Sequence, residues 1–272
     1  MSEFFNMLNP VAKWLHIIAG VMWIGLLYFF NFINGHVAAT MDADTKKKVV
    51  PELMPRTLYW FRWGAAWTWF TGVILLFVIF YNGNLSMGSS ETLMTDGEVN
   101  MWTHIMLLVT FVAVFLYDFL YKKVKFGITC PIANNTRVIT IVAFLLIAGI
   151  EYAMIHCGAF SYRAFNIHIG AMFGTMMAFN VWFRIWPAQQ KIITAIKNGD
   201  APDGADVALA GLRSKHNTYM SIPLLWTMIN QHTVVFNGIL FDCMGLVLLV
   251  VIALGWHIVF QLYKKSGKIS GF

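Results

Sequence analysis

Five histidines lie inside or at the ends of long apolar stretches, where ionisable side chains are rare. They are His16, His104, His156, His168 and His232. An ionisable side chain within the hydrocarbon of a membrane is costly, so it marks a functional site whose partner must be identified. Neutral imidazole is also a common metal ligand. Several such histidines at one depth predict a metal centre, and haem is the centre that this pattern favours.

The apolar stretches themselves indicate a membrane protein. Of the 272 residues, 58% are hydrophobic and 12% are charged, whereas soluble domains average about 25% charged residues. A helix needs about 20 apolar residues to cross the hydrocarbon core. We therefore predict an all-α integral membrane protein, a single domain over 1–272 in which about seven helices form a bundle. The predicted spans lie near 11–36, 63–82, 99–121, 136–157, 163–187, 218–233 and 238–263.

The sixth predicted span is the weakest of the seven. It is short and contains Pro223, so a re-entrant or tilted segment lining a cavity is an alternative.

The basic residues predict how the bundle is oriented. The formal net charge is +6, and most lysines and arginines fall between spans one and two, three and four, and five and six, or after span seven. All of these segments lie on one side of a seven-span bundle, which the positive-inside rule assigns to the cytoplasm. The N-terminus is then periplasmic and the C-terminus cytoplasmic. The positive charge therefore reports membrane orientation and not a nucleic-acid partner.

Helix geometry places the histidines at similar depths. His16, His104 and His168 each lie about five residues inside the outer start of a span that runs inward, so their rings are expected within roughly one turn of a common plane. His156 approaches this plane on span four, and His232 lies at the outer end of span six. Haem iron takes one or two axial ligands from the protein. We predict His16, His104, His156 and His168 as candidate axial ligands and His232 as a further cofactor-binding residue, without assigning a pairing.

Two further features lie near these histidines. Glu151, about one and a half turns from His156 on span four, is predicted to orient a ligand histidine or to handle a proton. Gly170 and Gly174 could leave room for a macrocycle beside the backbone, but the same spacing is typical of close helix packing. Both interpretations of the glycines stay open, as does a purely structural role for any single histidine.

Two of the predicted cytoplasmic loops are expected to be helical. Residues 41–54 form an amphipathic pattern, with Asp42 or Asp44 as the cap and Pro55 at the end. Residues 188–216 predict a helix, a Gly- and Pro-containing turn and a second helix.

Four segments of the chain resemble a known family. They are HIIAGVMWIGLLYFFNF at 16–32, WFRWGA at 60–65, GTMMAFNVWFRIWPAQQ at 174–190 and NTYMSIP at 217–223. Together they resemble the membrane domain of the bacterial cytochrome-c-linked urate hydroxylase (membrane urate oxidase) family. The resemblance implies a multi-pass protein of the bacterial inner membrane that hydroxylates urate to 5-hydroxyisourate and passes electrons to a cytochrome c. Members of this type carry a further C-terminal cytochrome c domain, whereas this sequence stops at Phe272 and contains no CxxCH motif.

We therefore predict a haem-b-binding membrane oxidoreductase of urate-hydroxylase type. Its expected partners are the lipid bilayer, a periplasmic cytochrome c or other redox protein, and a purine such as urate. Two alternatives stay open. The chain could be a non-catalytic electron-transfer or accessory subunit of a larger respiratory or photosynthetic membrane complex, or it could be a transporter or assembly factor.

Overall fold

The computed structural model describes residues 2–81, 100–121, 135–230 and 244–269, and most of these residues lie in helices. Within these ranges, three short π-helical segments lie next to α-helices, at Phe29–Asn34, Phe77–Tyr81 and Val181–Ile185. The α-helices are α1 (Ser2–Tyr28), α2 (Gly35–Thr40), α3 (Ala43–Leu76), α4 (Met101–Leu120), α5 (Thr136–His156), α6 (Tyr162–Asn180), α7 (Trp186–Asn198), α8 (Gly204–Asn230) and α9 (Met244–Ser266).

Five helical stretches in the described part of the chain are long and apolar enough to cross a membrane. They are Met7–Thr40, Ala43–Tyr81, Met101–Tyr121, Thr136–His156 and Gly245–Ser266. They overlap the first four predicted spans and the seventh. The prediction of an all-helical, multi-pass membrane protein is thereby confirmed, whereas the count of seven spans and the orientation stay predictions.

The fifth predicted span falls on α6, which is helical but less apolar than those five stretches. Most of α6 is buried, and Asn166, His168 and Asn180 have no exposed surface. Polar side chains inside a membrane protein are tolerated where they face other protein groups and not lipid. Burial among protein groups thus explains how α6 accommodates these polar side chains.

The chain divides into two compact units. Unit 1 comprises Met1–Leu75, Met177–Pro223 and Ala253–Phe272, and unit 2 comprises Leu76–Met176 and Leu224–Ile252. The single domain expected over 1–272 stays a prediction, and the units are described separately below.

Unit 1 has an apolar core and a set of hydrogen bonds between distant helices. Trp23 and Phe61 are among its fully buried side chains. The Asn31 side chain, on the first π segment, donates to the Ser214 hydroxyl of α8 at 2.8 Å and accepts from the Tyr263 hydroxyl of α9 at 2.8 Å. A π segment is common at functional sites because the wider turn redirects side chains. Here it allows one amide to connect three parts of the unit.

The start of α3 confirms one expectation and corrects another. Thr45 donates to the Asp42 carboxylate from its backbone N–H at 2.8 Å and from its hydroxyl at 2.7 Å, and these bonds lower the pKa of Asp42. Asp42 is therefore the predicted helix cap. The expected end at Pro55 is wrong, because α3 continues through Pro55 to Leu76. Burial of Leu58 on the continuing helix favours this extension over the ending that proline usually imposes.

The predicted helix, turn and helix at 188–216 is confirmed. Helix α7 ends at Asn198, Gly199 follows with φ of +88°, and α8 begins at Gly204. The Asp200 N–H donates to the Ala195 carbonyl at 2.9 Å. Only glycine adopts such a positive φ readily, which is why this residue type ends the helix.

In unit 2, α4 and α5 are joined by polar contacts at one end. The Asn100 side chain caps α4 by accepting from the Thr103 N–H at 3.0 Å. The Thr103 hydroxyl donates to the Gly158 carbonyl at 3.1 Å, and the Asn100 amide donates to the Cys157 carbonyl at 3.2 Å. The start of α4 is therefore fixed against the segment that follows α5.

The two glycines of α6 differ in their surroundings. A Cβ atom at Gly170 would overlap the Thr227 side chain of α8, with Thr227 Cβ only 2.9 Å away. A Cβ atom at Gly174 would have no described atom within 4 Å. Gly170 therefore serves the close packing of α6 against α8, whereas Gly174 does not contribute to that packing.

This difference predicts that alanine substitutions at the two glycines affect the free energy of unfolding differently. Gly170→Ala should lower the free energy of unfolding by about 1–3 kcal/mol because the added methyl overpacks the contact. Gly174→Ala, the matched control on the same helix, should leave stability unchanged or raise it by about 0.5–1 kcal/mol. Thermal unfolding of both variants in detergent measures the difference. Equal midpoints would contradict the packing described for Gly170.

Candidate functional site

His168 is fully buried on α6, and both of its ring nitrogens have partners. Nδ1 lies 2.6 Å from the Ala164 carbonyl, and Nε2 lies 2.6 Å from the Tyr81 hydroxyl. A carbonyl oxygen can only accept, so Nδ1 carries the proton. Nε2 of the neutral ring is then the acceptor, and the Tyr81 hydroxyl donates to it.

Aromatic rings surround this hydrogen-bonded pair. The ring centroid of His168 lies 4.6 Å from that of Phe160, 5.7 Å from that of Tyr81 and 6.2 Å from that of Phe80. Tyr81 and Phe80 belong to the π segment that continues α3. Water is scarce in such an apolar environment, and the low local dielectric strengthens the hydrogen bond between the phenol and the imidazole.

His16, in unit 1, has a different arrangement. Its Nδ1 lies 3.1 Å from the Thr71 hydroxyl, which itself donates to the Trp67 carbonyl at 2.6 Å. The single hydroxyl hydrogen of Thr71 is used in that second bond, so Thr71 accepts from His16 Nδ1–H. The lone pair of His16 is therefore on Nε2.

Gly72 allows the His16 ring to lie against α3. A Cβ atom at Gly72 would be 3.0 Å from His16 Cε1 and 3.4 Å from Nδ1. Metal-binding histidines commonly donate their second ring nitrogen to an oxygen that fixes both ring orientation and tautomer. His16 has this arrangement, with Thr71 as the orienting group.

The other predicted histidines differ in exposure. His104 on α4 and His156 on α5 are exposed, and the His156 ring lies 4.2 Å from that of Tyr152, four residues earlier. His232 lies outside the described residues. No group of three or more His, Cys, Asp and Glu side chains within the described ranges is close enough to hold a metal ion. Haem iron needs only one or two protein ligands, so haem ligation by these residues stays a prediction.

Glu151 is a buried carboxyl group on α5 with 1% of its surface exposed. Neither of its carboxyl oxygens has a hydrogen-bond partner among the described residues. Gly245 on α9 leaves space for this side chain, because a Cβ there would lie 3.3 Å from Oε1. The predicted role of Glu151 in orienting a histidine or handling a proton stays a prediction.

A second buried polar cluster lies in unit 1. The Asn180 amide donates to the Asn217 side-chain oxygen at 2.8 Å, and the Asn217 amide donates to the Met177 carbonyl at 3.0 Å. Arg213 donates to the Asn180 side-chain oxygen at 3.4 Å, and all three side chains of this cluster are at most 1% exposed. The cluster fixes α6 against α8 through hydrogen bonds between protein groups.

Arg62 joins two of the tryptophan-rich segments. Its guanidinium lies 3.8 Å from the ring centroid of Trp186 and 5.5 Å from that of Trp182. Trp182 also donates its indole N–H to the Arg62 carbonyl at 3.1 Å. Cation–π contacts of this kind hold the cation over the aromatic face. Arg62 and Trp182 are 120 positions apart in the chain, so the sequence alone does not show that they meet.

Sequence reasoning also missed Tyr81 and Thr71. Tyr81 falls at the end of the second predicted span, and a buried tyrosine hydroxyl in an apolar helix usually has a polar partner. That rule predicts a hydrogen-bond partner for the Tyr81 hydroxyl. The sequence does not show that this partner is His168, which is 87 positions away.

These features define a helical, multi-pass membrane protein with a buried histidine, His168, on α6. The chain belongs to the urate oxidase N-terminal family, whose sequence model matches residues 42–270. This match confirms the family that the four sequence segments indicated. Neither a search of curated proteins nor a search of solved structures found a match.

The His168 arrangement predicts a difference between two tyrosine variants. Tyr81→Phe leaves Nε2 of a fully buried imidazole without its donor, which should cost about 1–3 kcal/mol of unfolding free energy. Tyr28→Phe is the matched control. The Tyr28 hydroxyl bonds the Ser221 hydroxyl at 2.9 Å, and Ser221 keeps a second bond to the Thr218 carbonyl, so its loss should cost only about 0.5 kcal/mol.

Thermal unfolding of both variants in the same detergent measures this difference. A Tyr28→Phe variant that is as destabilised as Tyr81→Phe would contradict the assignment of Tyr81 as the donor to His168.

Proposed function

We propose that this protein is a haem-b-dependent oxidoreductase of urate-hydroxylase type in the bacterial inner membrane. It oxidises urate and passes the electrons to a cytochrome c or another redox partner on the periplasmic side. The observation that carries the proposal is the family match, which extends over residues 42–270. Membership of a urate-oxidase family supports urate as the substrate, and the long apolar helices support a reaction at a bilayer.

The overall reaction must balance oxygen, protons and electrons. Urate and one water give 5-hydroxyisourate, two protons and two electrons. A protein that carries out this reaction needs groups that accept protons and a cofactor that accepts electrons. Haem iron, when bound, accepts and releases one electron at a time.

His16 fits the requirements for an axial ligand. Its tautomer places the lone pair on Nε2, the Thr71 hydroxyl orients its ring, and Gly72 gives the ring space. His168 has no ring nitrogen with a lone pair available to a metal in the observed arrangement, because the Tyr81 hydroxyl donates to Nε2. The exposed His104 and His156 stay candidates for a second ligand. In this proposal His16 would bind the haem iron and Thr71 would orient the His16 ring. The carboxyl oxygens of Glu151, which have no hydrogen-bond partner among the described residues, would take protons.

The urate reaction can be tested with the purified protein in nanodiscs. Urate, soluble cytochrome c and ¹⁸O-labelled water are supplied, and the product is analysed by mass spectrometry. We expect 5-hydroxyisourate carrying one ¹⁸O atom, with two equivalents of cytochrome c reduced per urate. Haem that is present but never reduced by urate would contradict the enzyme assignment and favour an electron-transfer or accessory subunit. Protein without haem or turnover would favour a transporter or assembly factor.

The ligand role of His16 is tested with one histidine variant and two glycine variants, one of which is the control. His16→Ala and Gly72→Ala should both lose bound haem, the first by removing the imidazole and the second by displacing it with a methyl group 3.0 Å from Cε1. Gly20→Ala is the control, since its added methyl would make only an ordinary contact with Thr68 at 3.8 Å. The haem-to-protein ratio of each purified variant is the measurement. Full haem content in both His16→Ala and Gly72→Ala would exclude His16 as a ligand.

A further inference from the structure

We propose that Arg62, held over the rings of Trp182 and Trp186, binds the phosphate group of an anionic phospholipid. The proposal does not depend on the urate function, because none of these residues takes part in the chemistry described above. It assigns a ligand to the WFRWGA segment at 60–65, which lies within the family match but which the proposed function does not use.

Aromatic rings, and not an acidic side chain, hold the guanidinium of Arg62. It lies 3.8 Å from the ring centroid of Trp186 and 5.5 Å from that of Trp182. The Trp182 indole N–H donates to the Arg62 carbonyl at 3.1 Å, which joins α3 to the Val181–Ile185 segment at this point. In the part of the chain that the structure describes, no carboxylate forms an ion pair with Arg62. Its positive charge therefore has no counter-charge from these residues.

The contacts with the two rings leave the hydrogen-bond donors of Arg62 available. A guanidinium carries five N–H donors in one plane, whereas the aromatic rings attract the cation through their faces. Nε has no hydrogen-bond partner among the described residues, and the side chain as a whole is only partly buried. An arginine in this state can donate two parallel N–H bonds to a phosphate, and such charge-assisted pairs are among the stronger hydrogen bonds in proteins.

Arg62 also lies at the level expected for lipid headgroups. Residues 63–81 follow it without a charged side chain, and about 20 apolar residues cross the hydrocarbon core. Arg62 is therefore expected at the border of that core. Trp60, Trp63 and Trp67 on the same helix expose 56%, 40% and 52% of their surface, as is typical of tryptophans at a membrane–water interface. A phosphate that meets Arg62 at this depth belongs to a lipid.

Charge favours an anionic lipid over a zwitterionic one. In the headgroup of phosphatidylcholine, a quaternary ammonium lies next to the phosphate and competes with the guanidinium for it. Phosphatidylglycerol has no such cation, so its phosphate keeps its full charge for Arg62. A basic side chain at the membrane surface contributes about a fivefold change in affinity for anionic lipid.

Native mass spectrometry of the purified full-length protein in a maltoside detergent measures this binding. We expect phosphatidylglycerol to bind about fivefold more tightly than phosphatidylcholine. Arg62→Gln should remove this preference, and Arg62→Lys should keep only part of it, because an ammonium cannot form the two parallel bonds of a guanidinium. Arg56→Gln is the matched control. Arg56 lies on the same helix, is 79% exposed and already pairs with Glu52 at 2.8 Å, so this variant should keep the full preference.

The wild-type protein alone keeps the proposal falsifiable if an Arg62 variant does not fold. Equal wild-type affinities for phosphatidylglycerol and phosphatidylcholine would overturn the lipid site. Displacement of bound phosphatidylglycerol by excess inorganic phosphate or urate would also overturn it, because the site would then take a soluble anion. Among the variants, an Arg62→Gln protein that retains the preference would contradict the proposal. An Arg56→Gln protein that loses it equally would assign the effect to general surface charge and overturn the site.

Discussion

The cost of placing polar groups inside membrane-spanning helices determines much of this structure. Water cannot satisfy a buried imidazole, amide or guanidinium there, so a protein group must. His168 illustrates the consequence, since both of its nitrogens have partners and one of them comes from 87 residues away. His16 meets the same requirement through Nδ1, which bonds the Thr71 hydroxyl. The two histidines therefore differ in their hydrogen-bond partners, since His168 accepts from a tyrosine and His16 bonds a threonine.

The segments that indicated the family are also the segments that contact one another. Asn180 and Asn217 come from two of them and share a hydrogen bond. Arg62, from a third, lies over Trp182 and Trp186. These contacts are all within unit 1, so the residues by which the family is recognised stabilise one part of the membrane domain. Their presence identifies the family.

The sequence was sufficient for features set by local rules and insufficient for those set by distant contacts. Apolar runs predicted the helices, Asp42 predicted a cap, and the turn around Gly199 predicted the connection between α7 and α8. Pro55 was expected to end a helix, but burial beyond it favours continuation. The donor to His168 could not be predicted, because it depends on a π segment that redirects the end of α3.

The central claim is that this membrane domain takes electrons from urate through haem. The most direct measurement is an anaerobic single-turnover experiment, in which oxidised protein in nanodiscs is mixed rapidly with urate and the haem spectrum is followed. The account predicts that the haem b bands become reduced in the absence of any other donor, with one 5-hydroxyisourate formed for every two electrons taken up. A haem spectrum that stays oxidised in saturating urate, while a chemical reductant still reduces it, would contradict the account.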